Sequence, residues 1–305
     1  MNGPAQAAGG TEILVDNLRR RLPPELLRRV NLLVNGVDPA RLDPTRLNLL
    51  WNHHAHDQAA VANLRDPRIV ERLDRIVFVS HWQFEKYRLL MGLPEHRCVV
   101  LKNAIEEMAP GDKSGPLRLV YASTPWRGLD VLLDAFERLA RPDVELHVYS
   151  STQIYGPDFH RAHAPTYAPL FERARALPCV VLHGWAPNAV VRQALQQAHI
   201  LAYPSTWDET SCLVAIEAAM AGCLVVTTNL GALPETMGEW AVYTGYDSDR
   251  GRLAAAYART LGAAIDAVRH PLMQQRLALQ HQYFRMFYGW ERRAREWRHL
   301  LASLA

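Results

Sequence analysis

Two periods alternate along the chain: short unbroken apolar runs, and longer stretches with apolar residues at helical spacing. In the second half, LRLVYAS (117–123), VELHVYS (144–150), CVVLHGW (179–185), ILAYPS (200–205) and CLVVTT (223–228) predict buried strands. Between the first two, Leu129, Leu132, Leu133, Phe136 and Leu139 recur three or four apart and predict a helix over 128–140. Further helices are predicted at 189–199, with Asn188 as cap, and at 211–221, where Gly222 stops the helix. Apolar strands separated by amphipathic helices predict a parallel sheet covered on both faces, because each crossover lays a helix on it.

The first hundred residues repeat the style less completely. Candidate strands are VNLLVN (30–35), LNLLWN (47–52), RIVFVS (75–80) and RCVVL (97–101), preceded by a helix opening GGTEILVDNLRRRL. The stretch AIEEMAPGDKSGP (104–116) has two prolines, two glycines and no period, and reads as a linker. The expected organisation is therefore a first α/β domain over 1–103, a linker over 104–116 and a second α/β domain over 117–288. A final amphipathic helix puts Trp290, Trp297, Leu300 and Leu301 near one side, so residues 289–305 are expected to pack back on the first domain.

Composition narrows the class. A length of 305 residues suffices for two ordinary domains, and 49% hydrophobic with 21% charged residues suits a folded globular chain. The apolar runs, of which Leu253–Ala258 is typical, are far too short to span a bilayer. The opening residues are small and polar, so no secretory leader is expected. Cys98, Cys179, Cys212 and Cys223 are scattered, which suits a reducing cytoplasm better than a disulfide framework. A net charge of +3 gives nucleic-acid binding no support. Charge is uneven, however, with Arg19, Arg20, Arg21, Arg28 and Arg29 in one short run. That run is either a solvated helix end or a peripheral membrane contact with anionic lipid headgroups on the inner face; the latter would suit a lipid-linked acceptor.

Candidate chemistry concentrates at 203–228, YPSTWDETSCLVAIEAAMAGCLVVTT. A strand ends at Pro204, a loop carries Asp208 and Glu209, and a helix begins near Thr210 or Ser211. Glu209 then lies at the helix mouth and Glu217 about two turns inside it. In a parallel sheet this is the carboxyl edge, where ligands bind. Free N–H groups from Thr210 through Ser211 and Cys212 to Leu213 suit an anion such as a pyrophosphate. A carboxylate farther down the helix can accept from two ribose hydroxyls, and one at its mouth can orient a sugar.

This segment resembles the E-x7-E signature of the large retaining glycosyltransferase family 4, whose GT-B fold has two Rossmann-like domains facing across a cleft. The likeness runs from GGTE at 9–12 to the last helix. It implies that Glu209 contacts the donor sugar and Glu217 the nucleotide ribose. STPWRG (123–128) resembles the family's phosphate-binding turn, with Arg127 as the basic residue; Ser123 and Thr124 stand where a second basic residue is common. Gly9 and Gly10 resemble the glycine-rich loop near the donor phosphate. No apolar run precedes them: the strand that should stand there is missing or very degenerate, so either the N-terminal domain is reduced or the sequence begins late. LNLLWNHHAHDQ (47–58) places histidines past a strand end, where the family keeps one near the sugar; register favours His53, then His54, then His56. The competing reading is a metal site from His53, His54, His56 and Asp57. HGWAP (183–187) resembles the loop against the base, with a core position as the alternative for Trp185. GALPE (231–235) resembles a loop that brings Glu235 near the donor, or is a plain surface loop. Asn103 matches a hinge position, and Ser80 caps the next helix or touches acceptor.

The resemblance thus implies transfer of a sugar from a nucleoside diphosphate sugar, held mainly by the second domain (117–288), to a hydroxyl acceptor on a glycan, lipid or small molecule that approaches from the first domain (1–103). No metal and no bound cofactor are expected. His53, Arg127 and Glu209 would act at the reacting bond. Gly9, Gly10, Thr124, Trp185, Thr210, Ser211, Cys212, Leu213 and Glu217 would hold the nucleotide sugar. Two alternatives remain: a partner subunit that keeps the fold without turnover, and another GT-B enzyme such as an epimerase or phosphorylase. A phosphorylase needs a cofactor lysine, and Lys86, Lys102 and Lys113 have no convincing pocket context.

Overall fold

The structure is a computed structural model that describes residues 9–304. The degenerate strand expected ahead of Gly9 falls on residues 1–8, outside the described residues. The first sheet holds β1 (Val30–Val34), β2 (Leu47–Asn52), β3 (Arg75–Phe78) and β4 (Cys98–Val100), parallel and in that order. The second holds β5 (Leu117–Ala122), β6 (Val144–Tyr149), β7 (Val180–Leu182), β8 (Ile200–Tyr203), β9 (Leu224–Thr228) and β10 (Ala241–Thr244). Its order is β10-β9-β8-β5-β6-β7, again all parallel. Around the first sheet lie α1 (Gly10–Arg21), α2 (Pro24–Arg29), α3 (Pro67–Val70) and α4 (His81–Met91). Around the second lie α5 (Leu129–Leu139), α6 (Pro157–Ala176), α7 (Asn188–Gln197), α8 (Leu213–Met220), α9 (Leu233–Met237), α10 (Arg250–Ala267) and α11 (Pro271–Tyr288), and α12 (Trp290–Ser303) ends the chain. None of these helices is long and apolar enough to cross a membrane.

Strand alternation builds two cores on the first sheet. Leu49, Trp51, Val77 and Val79 face one side, and Leu50, Ile76 and Phe78 the other. The first face is closed by α1, through Leu14 and Leu18, and by α12, through Trp290, Trp297 and Leu301. Trp297 meets Trp51 edge-on at 5.1 Å, the arrangement aromatic quadrupoles favour. The chain crosses between the sheets at Ile105 and again at Gly289, and the two crossings pair in parallel, Ile105 N–H donating to the Tyr288 carbonyl at 2.9 Å.

The second sheet decides where a ligand can sit. From β5 the chain winds outward through β6 and β7, then returns to β8 and winds the other way through β9 and β10. Loops leaving the carboxyl ends of β5 and β8 therefore diverge and leave a crevice at this switch point. These are the loops that carry Thr124 and Arg127, and Glu209.

Three local expectations meet the structure here, and two need correction. The helix predicted from Ser211 begins at Leu213, because Cys212 takes a left-handed conformation (φ 61°) that no helix can include. Asn188 is the first residue of α7 rather than its cap, and its side chain turns to Glu217. Ser80 does cap α4, accepting from Gln83 N–H at 3.1 Å.

Candidate active site

Glu209 is fixed by its backbone first. Gly231 sits so close behind it that a Cβ there would lie 2.7 Å from Glu209 N and O, and Ala232 N–H donates to the Glu209 carbonyl at 2.7 Å. Gly128 (φ 108°) likewise admits no side chain, since a Cβ would lie 2.1 Å from the Pro204 carbonyl oxygen. The two loops of the switch point are thus packed backbone to backbone. Glu209 Oε1 accepts from the buried Tyr203 hydroxyl at 2.5 Å and from Arg127 Nη1 at 2.7 Å. Burial alone would lower the Arg127 pKa, but the adjacent Glu209 carboxylate outweighs it and the net shift is upward. A buried ion pair recovers roughly what its desolvation costs, so stability alone does not explain this one. Arg127 also lies over the Trp207 ring at 5.6 Å, and its buried Nε meets no partner among the described residues.

At the other end, the N–H groups of Leu213, Val214 and Ala215 have no backbone acceptor among the described residues, as the first turn of a helix requires. The buried Cys212 thiol is pushed up by burial and by nearby Glu209, which keeps it protonated and poorly nucleophilic. Glu217 is buried, and burial raises its pKa against the opposing pull of Arg192. Its Oε1 accepts from Arg192 Nη1 at 3.0 Å and more distantly from Asn188 Nδ2 at 3.4 Å. Arg192 also grips the linker, donating to the Glu106 and Glu107 carbonyls at 2.9 and 3.1 Å.

The first lobe supplies the facing wall. A Cβ on Gly10 would lie 2.6 Å from Leu213 Cδ1, so glycine lets the start of α1 abut the start of α8. His53 follows β2 and is held by Asn35, whose Oδ1 accepts from the His53 backbone N–H at 2.9 Å and contacts its Nδ1 at 3.1 Å. An acceptor at Nδ1 assigns the proton of the neutral ring to that nitrogen, and Nε2 lies buried without a close hydrogen-bond partner among the described residues. Burial, then the neighbouring His54, push the His53 pKa down to about 3 against an upward pull from Asn103, so the ring is neutral at physiological pH. Thr210 Oγ1 donates to the His53 carbonyl at 2.8 Å and ties the lobes together.

All twelve residues expected at the site line one cavity of about 1200 Å³ between the lobes. His53 and His54 line it, whereas His56 does not. Trp185 is 40% exposed on its wall, which removes the core alternative. Among the described residues, no three His, Cys, Asp or Glu side chains are grouped to hold a metal ion. Glu235 departs from the expectation that it lies near the donor. Its carboxylate accepts from the His81 and Trp82 N–H groups at 2.9 and 2.8 Å and from Lys102 Nζ at 2.8 Å, joining α9 to the start of α4 outside the cavity. Burial raises its pKa, but Lys102 and the two N–H groups more than offset this and hold it below the usual carboxylate value.

Several functional side chains were not legible beforehand. Arg192, Tyr203, Asn35 and Trp207 hold or stack on the expected residues, and Asn103, read as a hinge, lines the cavity with its buried Oδ1 unpartnered among the described residues. Asn35 did carry a signal, since VNG at a strand end calls for a left-handed residue, and its φ is 62°.

Residues 117–263 match the family described as glycosyl transferases group 1. One subunit of the phosphatidylinositol N-acetylglucosaminyltransferase of Arabidopsis thaliana is 25% identical over 174 residues, covering 54% of this chain and 37% of that protein. The matched part is thus little more than a third of that relative's length. Among solved structures, a glycosyltransferase from Rickettsia africae ESF-5 superposes with a TM-score of 0.70 at 15% identity, covering 100% of this chain and 84% of that one. Sucrose-phosphate synthase from Thermosynechococcus elongatus gives 0.68 at 15% identity, over 99% and 81%. Anabaena Alr3699/HepE in complex with UDP and glucose gives 0.67 at 15% identity, over 85% and 72%. The chain has the GT-B fold, with a four-stranded first sheet against a six-stranded second one.

Proposed function

We propose that this chain transfers a glycosyl unit from a nucleoside diphosphate sugar to a hydroxyl acceptor, with retention of anomeric configuration and without a metal ion. The observation that carries the reading is the convergence of Glu209, Glu217 and Arg127 around the open N-terminus of α8, in one cavity with His53 of the facing lobe. Glu217 takes the ribose hydroxyls. The N–H groups opening α8 and Arg127 hold the diphosphate, and the guanidinium can do so through Nη2 while Nη1 stays on Glu209. When the anomeric C–O bond breaks, its electron pair goes to the leaving phosphate oxygen, where these donors stabilise the charge. The acceptor oxygen bonds the anomeric carbon from the same face, and its proton passes to the leaving phosphate. Glu209 and neutral His53, as acceptors, fix hydroxyls of the sugar.

UDP is the first nucleotide to try, because solved structures of similar fold are named as complexes with UDP or UDP-glucose. The experiment is a thermal-stability screen against UDP, GDP, ADP, CMP and dTDP conjugates, followed by an assay of donor consumption and the anomeric configuration of the product. Stabilisation by none of them would sink the reading. The exposed Arg19, Arg20, Arg28 and Arg29 suit anionic headgroups around a lipid-linked acceptor. A second reading, a partner module without turnover, draws on the plant relative, which is named as one component of a larger enzyme. Tight nucleotide binding with no donor consumption would favour it.

A further inference from the structure

The cavity extends beyond the groups a nucleotide sugar would use, along an aromatic stripe. Tyr155, Phe159, His163 and Tyr167 stand four residues apart, the first just before α6 and the rest on one face of it. Neighbouring rings touch, Tyr155 to Phe159 at 5.0 Å and Phe159 to His163 at 4.1 Å between centroids. Trp126 sits in their midst, 5.7, 5.9 and 5.6 Å from Tyr155, Phe159 and Tyr167. Such spacing ordinarily marks a helix face turned into the core, but here the core does not use it. The only buried residue of α6 is Ala174, and none of the five rings belongs to the second lobe's apolar cluster. All five instead line the cavity that holds Arg127 and Glu209, and Tyr155 is 52% exposed.

Resting on the transferase reading, we infer that this stripe extends the acceptor subsite onto the second lobe, across the cleft from the first lobe expected to deliver the acceptor, and that its occupant is a run of sugar rings. Trp126 adjoins Arg127 in the chain, and its carbonyl is held by Thr206 Oγ1 at 3.2 Å, so the stripe starts at the diphosphate end of the donor. From Phe159 to Tyr167 a helix advances roughly 12 Å, more than a single base or hexose occupies. A pyranose presents an apolar C–H face and a hydroxyl rim. The negative faces of the rings suit the former, and the Tyr155 and Tyr167 hydroxyls, His163 and Ser151 suit the latter. An acyl chain would have no use for those polar groups.

The test is saturation-transfer NMR and calorimetry on the full chain, with and without UDP, titrated with glucose, maltotetraose, cellotetraose and chitotetraose. A saturable response that strengthens from one to four rings is expected for at least one series. Phe159→Ala and Tyr167→Ala together should weaken it about tenfold, the worth of a lost aromatic contact or two. Tyr155→Ala, in the turn before the helix, gives a second readout that helix damage cannot explain. Saccharide binding without UDP binding would sink the transferase reading and keep the stripe. UDP binding without any saccharide response, or a response unmoved by the substitutions, overturns the stripe. So does binding of decyl phosphate micelles that the same substitutions abolish while no saccharide competes.

Discussion

The loop before α8 and the middle of that helix hold the same pair of chemical groups in different ways. Glu209 and Glu217 each accept from an arginine through Oε1, at 2.7 and 3.0 Å. Arg127, beside Glu209, lines the cavity, rests on Trp207 and commits only Nη1 to the carboxylate among the described residues. Arg192, beside Glu217, spends its remaining reach on two linker carbonyls. One arginine is therefore available to a ligand, while the other belongs to the frame. A motif of two glutamates eight apart conceals this difference, because it is made by residues far away in sequence.

The largest effects should fall at the Glu209 end. Arg127→Met removes a preorganised donor to developing charge and should lower kcat by roughly 10²–10³. Glu209→Ala should also act mainly on kcat, with nucleotide affinity little changed. At the other end, Glu217→Ala should weaken nucleotide binding by roughly 10–100-fold, the worth of hydrogen bonds to a charged group. Steady-state kinetics with calorimetry of nucleotide binding separates the two. Equal losses of affinity at both glutamates would erase the proposed division of labour.

Arg192 gives a finer discrimination. Its guanidinium links the ribose-side carboxylate to the linker, and Glu106 in that linker pairs with Arg21 of α1 at 2.6 Å. The start of α1 returns to α8 through Gly10. Arg192→Met should therefore raise the donor KM by about three- to tenfold. If nucleotide draws the lobes together, small-angle scattering should show the chain compact on binding, less so in Arg192→Met, whereas Glu217→Gln should affect KM alone. Unchanged compaction in Arg192→Met would reduce that residue to a local partner of Glu217.

The second sheet was more legible than the site around it. β8 and the start of β9 are unbroken apolar runs, so their positions follow from burial on both faces, while β6 shows itself by the alternation of Val144, Leu146 and Val148 with polar residues. β10 escaped because AVYT is short and half-polar, and α6 because Pro165 and Pro169 interrupt its pattern. The twelve residues expected to react with or hold the donor lie on the cavity, since the frame of strand, loop and helix fixes most of them locally, whereas His56 and Glu235 do not. The holder Arg192 was not legible, because it acts across a tertiary contact, and Asn35 showed its left-handed turn but not the histidine it holds. Glu235 was misplaced for the same reason: a local loop pattern carries no sign that its carboxylate meets α4.

The smallest effect contrasts the lobes by pH. In the first lobe His53 is pushed to about 3, by burial first and then by His54. In the second, His199 is pushed to about 4 by burial, then by Arg269. Both stay neutral in the folded chain but take up a proton near 6.5 once unfolded. Between about pH 6.5 and 4 the unfolded chain therefore binds more protons, and acidification costs stability. Glu217 works the other way. Its raised pKa means that the folded chain takes up a proton first as pH falls, which favours the folded state in that range. Two histidines against one carboxyl should leave a net decline, so Tm should fall steadily from pH 6.5 to pH 4. His53→Asn should flatten that slope and Glu217→Gln should steepen it. A Tm that is level across the window, or the same slope in all three proteins, would mean that neither lobe keeps these groups from water as the structure places them.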